Sequence, residues 1–64
     1  MKEYVLFQGE VWEVWRKDHF NDDRLWYLSL RSDDGRVWNR WVTARSCVPL
    51  DPALNVLFER NQNG

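Results

Sequence analysis

With 64 residues, a formal charge of −1 and a single cysteine, the chain has room for one domain, cannot form an internal disulfide, and lacks the basic excess that coats nucleic acid by charge alone. One Cys and one His fall short of the three or four converging ligands of a zinc site, and with no Gly-rich phosphate loop in view no cofactor is expected. What the composition offers instead is five Trp, three Phe and two Tyr, rings that each bury about 150–250 Å² in a core.

In chain order, Met1 to Gln8 is predicted as a first strand, because Tyr4-Val5-Leu6-Phe7 form an apolar run that stops at Gly9, where the chain can bend. From Glu10 to Lys17, Val11, Val14 and Trp15 would fit a helical stripe, but the Val and Trp residue types favour a strand. A bulge near Glu13 would let both Trp12 and Trp15 reach apolar surroundings. Asp18 to Asp23 is then a polar loop around His19 and Phe20, with Asn21-Asp22-Asp23 supplying the turn chemistry.

The clearest local signal is Arg24 to Ser32, Asp33-Asp34-Gly35, then Arg36 to Thr43, a β-hairpin. If Asp34-Gly35 is a two-residue type I′ turn, Arg31 lies opposite Trp38, and the two faces separate. One face, expected to be the core, holds Trp26, Leu28, Leu30, Val37 and Trp41, with Asn39 and Thr43 among them. The other holds Leu25, Tyr27, Ser29, Arg31, Trp38, Arg40 and Val42. A three-residue turn would change the pairing but not the alternation within each strand. Trp26, Trp41 and one of Trp12 or Trp15 are expected in the core.

Ala44 to Cys47 is a short break with the look of one 3₁₀ turn, followed by Val48-Pro49-Leu50 and an Asp51-Pro52 corner. Val56-Leu57-Phe58 forms either an edge strand or a short helix across an open end, and residues 61–64 should fray.

Gly9, the Val/Trp strand, the polar loop, the hairpin at Asp34-Gly35 and the run Trp41-Val42-x-Ala44-Arg45-Ser46-Cys47-Val48-Pro49-Leu50 together resemble the SH3-like small barrels, over roughly residues 4–50. The resemblance implies an all-β fold: one domain over residues 1–64, a five-stranded barrel or strongly bent antiparallel sheet, with a 3₁₀ turn near residues 44–47. Tudor, KOW and peptide-binding SH3 domains share this pattern, so it speaks to fold and not to function. The Ala-Leu-Tyr-Asp-Tyr-like string of peptide-binding SH3 domains is missing, as is the Val-Gln-x-Tyr segment of the plasmid-encoded dihydrofolate reductases built on a similar barrel.

Catalysis is not expected. Nothing in the sequence brings His19 to Cys47 as a base for a thiolate. The paired carboxylates Asp22-Asp23 and Asp33-Asp34 sit where turns require them. The lone cysteine fits a reducing compartment and no stretch reads as a signal peptide or membrane span, so a cytoplasmic protein without a membrane partner is expected.

Charge is unevenly spread: residues 1–23 are acidic overall, whereas residues 24–45 carry Arg24, Arg31, Arg36, Arg40 and Arg45 against Asp33 and Asp34. Tyr27 and Trp38 beside Arg31, Arg36, Arg40 and Arg45 make the expected binding face, since aromatic residues and Arg are enriched where binding energy concentrates. The expected partner is a protein or a second copy, as in a homodimer, for which Asp22, Asp23, Glu10 and Glu13 offer an acidic counterpart. Single-stranded nucleic acid, stacked on Trp38 and Tyr27 with Arg along its phosphates, is the alternative.

Overall fold

Four residues with positive φ make the first two reversals of the chain: Gln8 (51°) and Gly9 (79°), then Asn21 (49°) and Asp22 (58°). Positive φ at both central residues is the geometry of a type I′ turn, whose twist matches that of the strands it joins. Asn, Asp and Gly adopt it most readily. The computed structural model describes residues 2–63, with side chains as far as residue 61. In it the two turns connect β1 (Glu3–Phe7), β2 (Glu10–Phe20) and β3 (Asp23–Arg31). There follow β4 (Val37–Thr43), a 3₁₀ turn (Ala44–Ser46), β5 (Val48–Pro49) and a helix, α1 (Pro52–Asn63). The strands form one antiparallel sheet in the order β4-β3-β2-β1-β5. The chain is thus all-β with one short helix, and its 3₁₀ turn stands where the sequence put it.

β2 is the strand on which the sheet bends. Its first half, Glu10–Val14, pairs with β1, and the stretch from Glu13 to Phe20 pairs with β3. Between Val14 and Arg16 the register slips by one residue. Trp15 is the extra residue of this bulge, two positions beyond the expected site, and such a slip sharpens local twist. Trp12, before the bulge, turns into the core, whereas Trp15 emerges on the opposite face, so only one of the two indoles is buried. Residues 18–23 are not a loop, because Asn21-Asp22 reverses the chain in two residues and leaves its flanks paired as the end of a long hairpin arm.

The third reversal decides which side chains β4 sends inward. Ser32 N–H donates to Arg36 O (2.9 Å) and Gly35 N–H to Ser32 O (3.1 Å), closing a three-residue loop of Asp33, Asp34 and Gly35. Gly35 supplies the positive φ (90°) that such a loop requires at its third position. Trp26 therefore faces Val42, Tyr27 faces Trp41 and Leu30 faces Trp38. Relative to a two-residue turn this is a shift of one residue, which exchanges the two faces of β4. Arg31 lies opposite Val37 and not Trp38. Val42 is buried, and Val37, Asn39, Trp41 and Thr43 share the outer face. Trp41, expected in the core, is 44% exposed.

The concave face encloses Val5, Phe7, Trp12, Trp26, Leu28, Val42, Ala44 and Cys47, with Val14 and Leu30 packed against them. Fully burying an aliphatic side chain such as Leu28 or Val5 contributes about 1.5–3 kcal/mol. Lys17 Nζ sits 4.6 Å from the Trp26 ring centre and 2.9 Å from Glu3 Oε1, covering that indole with its stem and a surface ion pair.

Residues 53–59, open between strand and helix in the sequence, are helical. Pro52 begins α1, where its missing N–H costs nothing, and Asp51 caps it by accepting from Ala53 N–H at 2.9 Å. Asn55 is buried and docks the helix: its Oδ1 accepts from Tyr4 N–H (2.8 Å) and its Nδ2 donates to Lys2 O (2.7 Å). With β5 on Val5 and Leu6, and Leu50 N–H donating to Tyr4 O (3.3 Å), this covers the outer edge of β1. The helix takes in residues 61–63, and Gly64, the end of the tail expected to fray, lies outside the described residues. Among the described residues no helix is long and apolar enough to cross a membrane.

Candidate functional site

On the convex face of the sheet three rings from three strands stand in a row. Trp15 on β2 meets Tyr27 on β3 edge-on, with centres 6.3 Å apart, and Tyr27 meets Trp41 on β4 at 5.0 Å. The bulge delivers Trp15 to this face and the three-residue loop delivers Trp41. Trp15 is 52% exposed. Its indole N–H donates to Glu13 Oε2 at 2.9 Å, a bond that orients the ring.

Between Trp15, at one end of this row, and the helix runs a groove of about 320 Å³, lined also by Lys2, Tyr4, Glu13, Arg31, Val37 and Phe58 among others. Phe58 packs edge-on against Tyr4 with centres 4.7 Å apart and forms its far wall. The Tyr4 hydroxyl is buried and makes no hydrogen bond among the described residues. Burial first, then the charges of Glu13 and Glu59, raise its pKa, so it stays a donor at neutral pH. Neither Lys2 nor Arg31 is in an ion pair among the described residues.

The residues expected to form the binding face do not come together. Tyr27 and Arg31 lie on the convex face. Trp38 and Arg40 belong to the concave side, where the Arg40 guanidinium carbon stands 5.1 Å from the Phe7 ring centre and covers the rim of the core. Arg36 sits after the loop and pairs with Asp34 at 3.2 Å, and Arg45, in the 3₁₀ turn, faces Asp23 at 3.9 Å. Trp15 and Trp41 are the residues the sequence reading missed. Asp33-Asp34-Gly35 taken as a three-residue loop would have found Trp41, and a bulge placed at Trp15 itself would have found Trp15.

Cys47 lies in the core and its thiol is pushed up in pKa by burial, whereas His19 is exposed near the tip of the β2–β3 hairpin. The chain has no significant match among protein-family models, curated proteins or solved structures.

Proposed function

We propose that this chain is a non-catalytic, SH3-like binding domain that takes up a segment of a protein partner along its convex face. An apolar side chain of the partner lies on the Trp15–Tyr27–Trp41 row, and a partner carboxylate meets Lys2 and Arg31. The observation that carries this reading is the row itself: rings from three adjacent strands, of which Trp15 and Trp41 are left about half open to water on either side of a partly buried Tyr27, in a domain that needs apolar burial to fold. One oxygen of Glu13 accepts from the Trp15 indole, and Lys2 and Arg31 are the cations of the groove that can meet a partner's carboxylate. The Tyr4 hydroxyl adds a donor that a partner carbonyl or carboxylate can satisfy. The SH3-like assignment is supported by the five-stranded order and by the 3₁₀ turn between β4 and β5. The non-catalytic one is supported by a buried, protonated thiol, which is a poor nucleophile.

A protein is favoured over single-stranded nucleic acid on two grounds. The rings are inclined to each other by 61° and 40°, not aligned as a platform for successive bases. The arginines form no common track, with Arg36 and Arg45 paired to aspartates and Arg40 on the other side of the sheet. Partner capture by the immobilised chain, followed by titration with Trp15→Ala and Arg31→Ala variants, tests the reading. Trp15→Ala is expected to weaken binding about 30-fold, a loss of about 2 kcal/mol, and Arg31→Ala to reduce its salt dependence. Unchanged affinity in both variants would remove the groove. Indole quenching by an oligonucleotide at low salt, lost in Trp15→Ala, would transfer the site to nucleic acid.

A further inference from the structure

The two edges of the sheet are treated differently. At the β1 side the edge is closed by a two-residue strand containing Pro49, by Leu50 and by the Asn55 side chain. At the other side β4 runs seven residues, Val-Trp-Asn-Arg-Trp-Val-Thr, and among the described residues no strand pairs with its outer edge. It has few of the usual protections of an exposed edge: no Pro, no Lys and no bulge, and its one inward-facing charge, Arg40, lies over Phe7 at the rim of the core. Val37, Trp38 and Trp41 are large, exposed and distributed over both faces.

The outward backbone groups follow from the hairpin. Ser32 N–H bonds to Arg36 O, which makes Ser32 and Arg36 a hydrogen-bonded pair. In an antiparallel ladder such pairs alternate, so Trp38, Arg40 and Val42 turn their backbone groups toward β3, and Val37, Asn39 and Trp41 turn theirs outward.

We infer that β4 pairs antiparallel with β4 of a second copy of this chain, about a two-fold axis through Asn39, joining two sheets edge to edge. The sequence of the strand selects this register. With the axis at Asn39, the hydrogen-bonded pairs are Asn39 with its own copy and Val37 with Trp41 of the second copy. The closer, non-hydrogen-bonded pairs set Trp38 opposite Arg40, a cation beside an indole, and this occurs twice by symmetry. Moving the axis to Arg40 puts two guanidinium groups directly opposite each other. Moving it to Trp38 sets Arg36 opposite Arg40. Both registers juxtapose like charges, which is unfavourable across a ladder. The axis at Asn39 pairs Val37 through Trp41, five of the seven residues of the strand, with no such conflict. The pairing shares Val37 and Trp41 with the groove and the ring row but does not involve Trp15 on β2, so Trp15→Ala leaves it intact and the two proposals fail separately.

Sedimentation over a concentration series tests it, using Asn39→Lys and Asn39→Asp, exposed positions whose change leaves the core untouched. The wild-type chain is expected to sediment as a dimer. Each variant alone places like charges on the axis and is expected to dissociate, with self-association weakened about tenfold or more. An equimolar mixture of the two places Lys opposite Asp and is expected to recover the dimer. A monomeric wild-type chain, including one that captures a strand from another protein at this edge, overturns the inference. So does a dimer that survives either charge alone, or a mixture that stays monomeric.

Discussion

Trp12 and Trp15 lie three residues apart on one strand and have opposite roles. Trp12 is packed edge-on against Phe7, with ring centres 6.1 Å apart, and is part of the enclosed core. Trp15 touches Tyr27 and water. Trp12→Ala is expected to cost about 3–5 kcal/mol, enough to leave a domain of this size largely unfolded, whereas Trp15→Ala should cost about 1 kcal/mol. Urea unfolding followed by circular dichroism separates the two, and equal losses would mean that Trp15 is structural. Asn55 makes a second contrast, since it is polar, buried and helical, yet its amide does the work of a strand. Asn55→Ala leaves Tyr4 N–H and Lys2 C=O without their partner, at an expected cost of about 1–3 kcal/mol. Faster hydrogen exchange at the Tyr4 amide would report that loss at its source.

At the scale of elements, strand periodicity made the inner face of β3 legible: Trp26 and Leu28 are buried and Leu30 packs against them, as the alternation required, whereas the burial of Ser29 on the other face was not legible. β4 was legible as a strand but not in its facing. The facing depends on whether two or three residues make the reversal, and Asp-Asp-Gly satisfies either. What tips the balance is Asp34. Its Oδ1 accepts from Arg36 N–H at 3.1 Å and from the Ser32 hydroxyl, contacts that hold the wider loop. The site inherited this ambiguity, and with it the exchange of Trp38 for Trp41. The hydrogen bond from Ser32, then that from Arg36, holds the Asp34 carboxyl below its ordinary 3.8. A lowered folded-state pKa gives stability that is present above the ordinary value and lost as pH falls. Thermal midpoints of the wild type and Asp34→Ala should therefore differ at neutral pH and converge in acid. A constant gap would show that the carboxylate charge is not what holds the loop.

For the whole molecule the corresponding limit lies at the alkaline end. Tyr4 and Cys47 both have raised pKa values, above their ordinary 10.0 and 9.0, with burial the first cause in each case. The unfolded chain releases these protons at lower pH than the folded one. The stability they confer is complete below the ordinary values and lost as pH rises through the folded ones. Tyr4→Phe keeps the packing against Phe58 and removes one of the two groups, so its alkaline decline in unfolding midpoint should be shallower than that of the wild type. A parallel decline would place the effect elsewhere.

The clasp that Asn55 makes on β1 has a consequence for growth as well as for folding. A molecule with one sticky rim stops at a pair, whereas one with two can add copies without end. Shortening the chain before Asp51 strips the helix and bares the backbone of Lys2 and Tyr4 beside a strand only two residues long. The truncated protein should pass from discrete particles to fibrils that bind thioflavin, and the helix would then stand as the stopper that keeps the sheet finite.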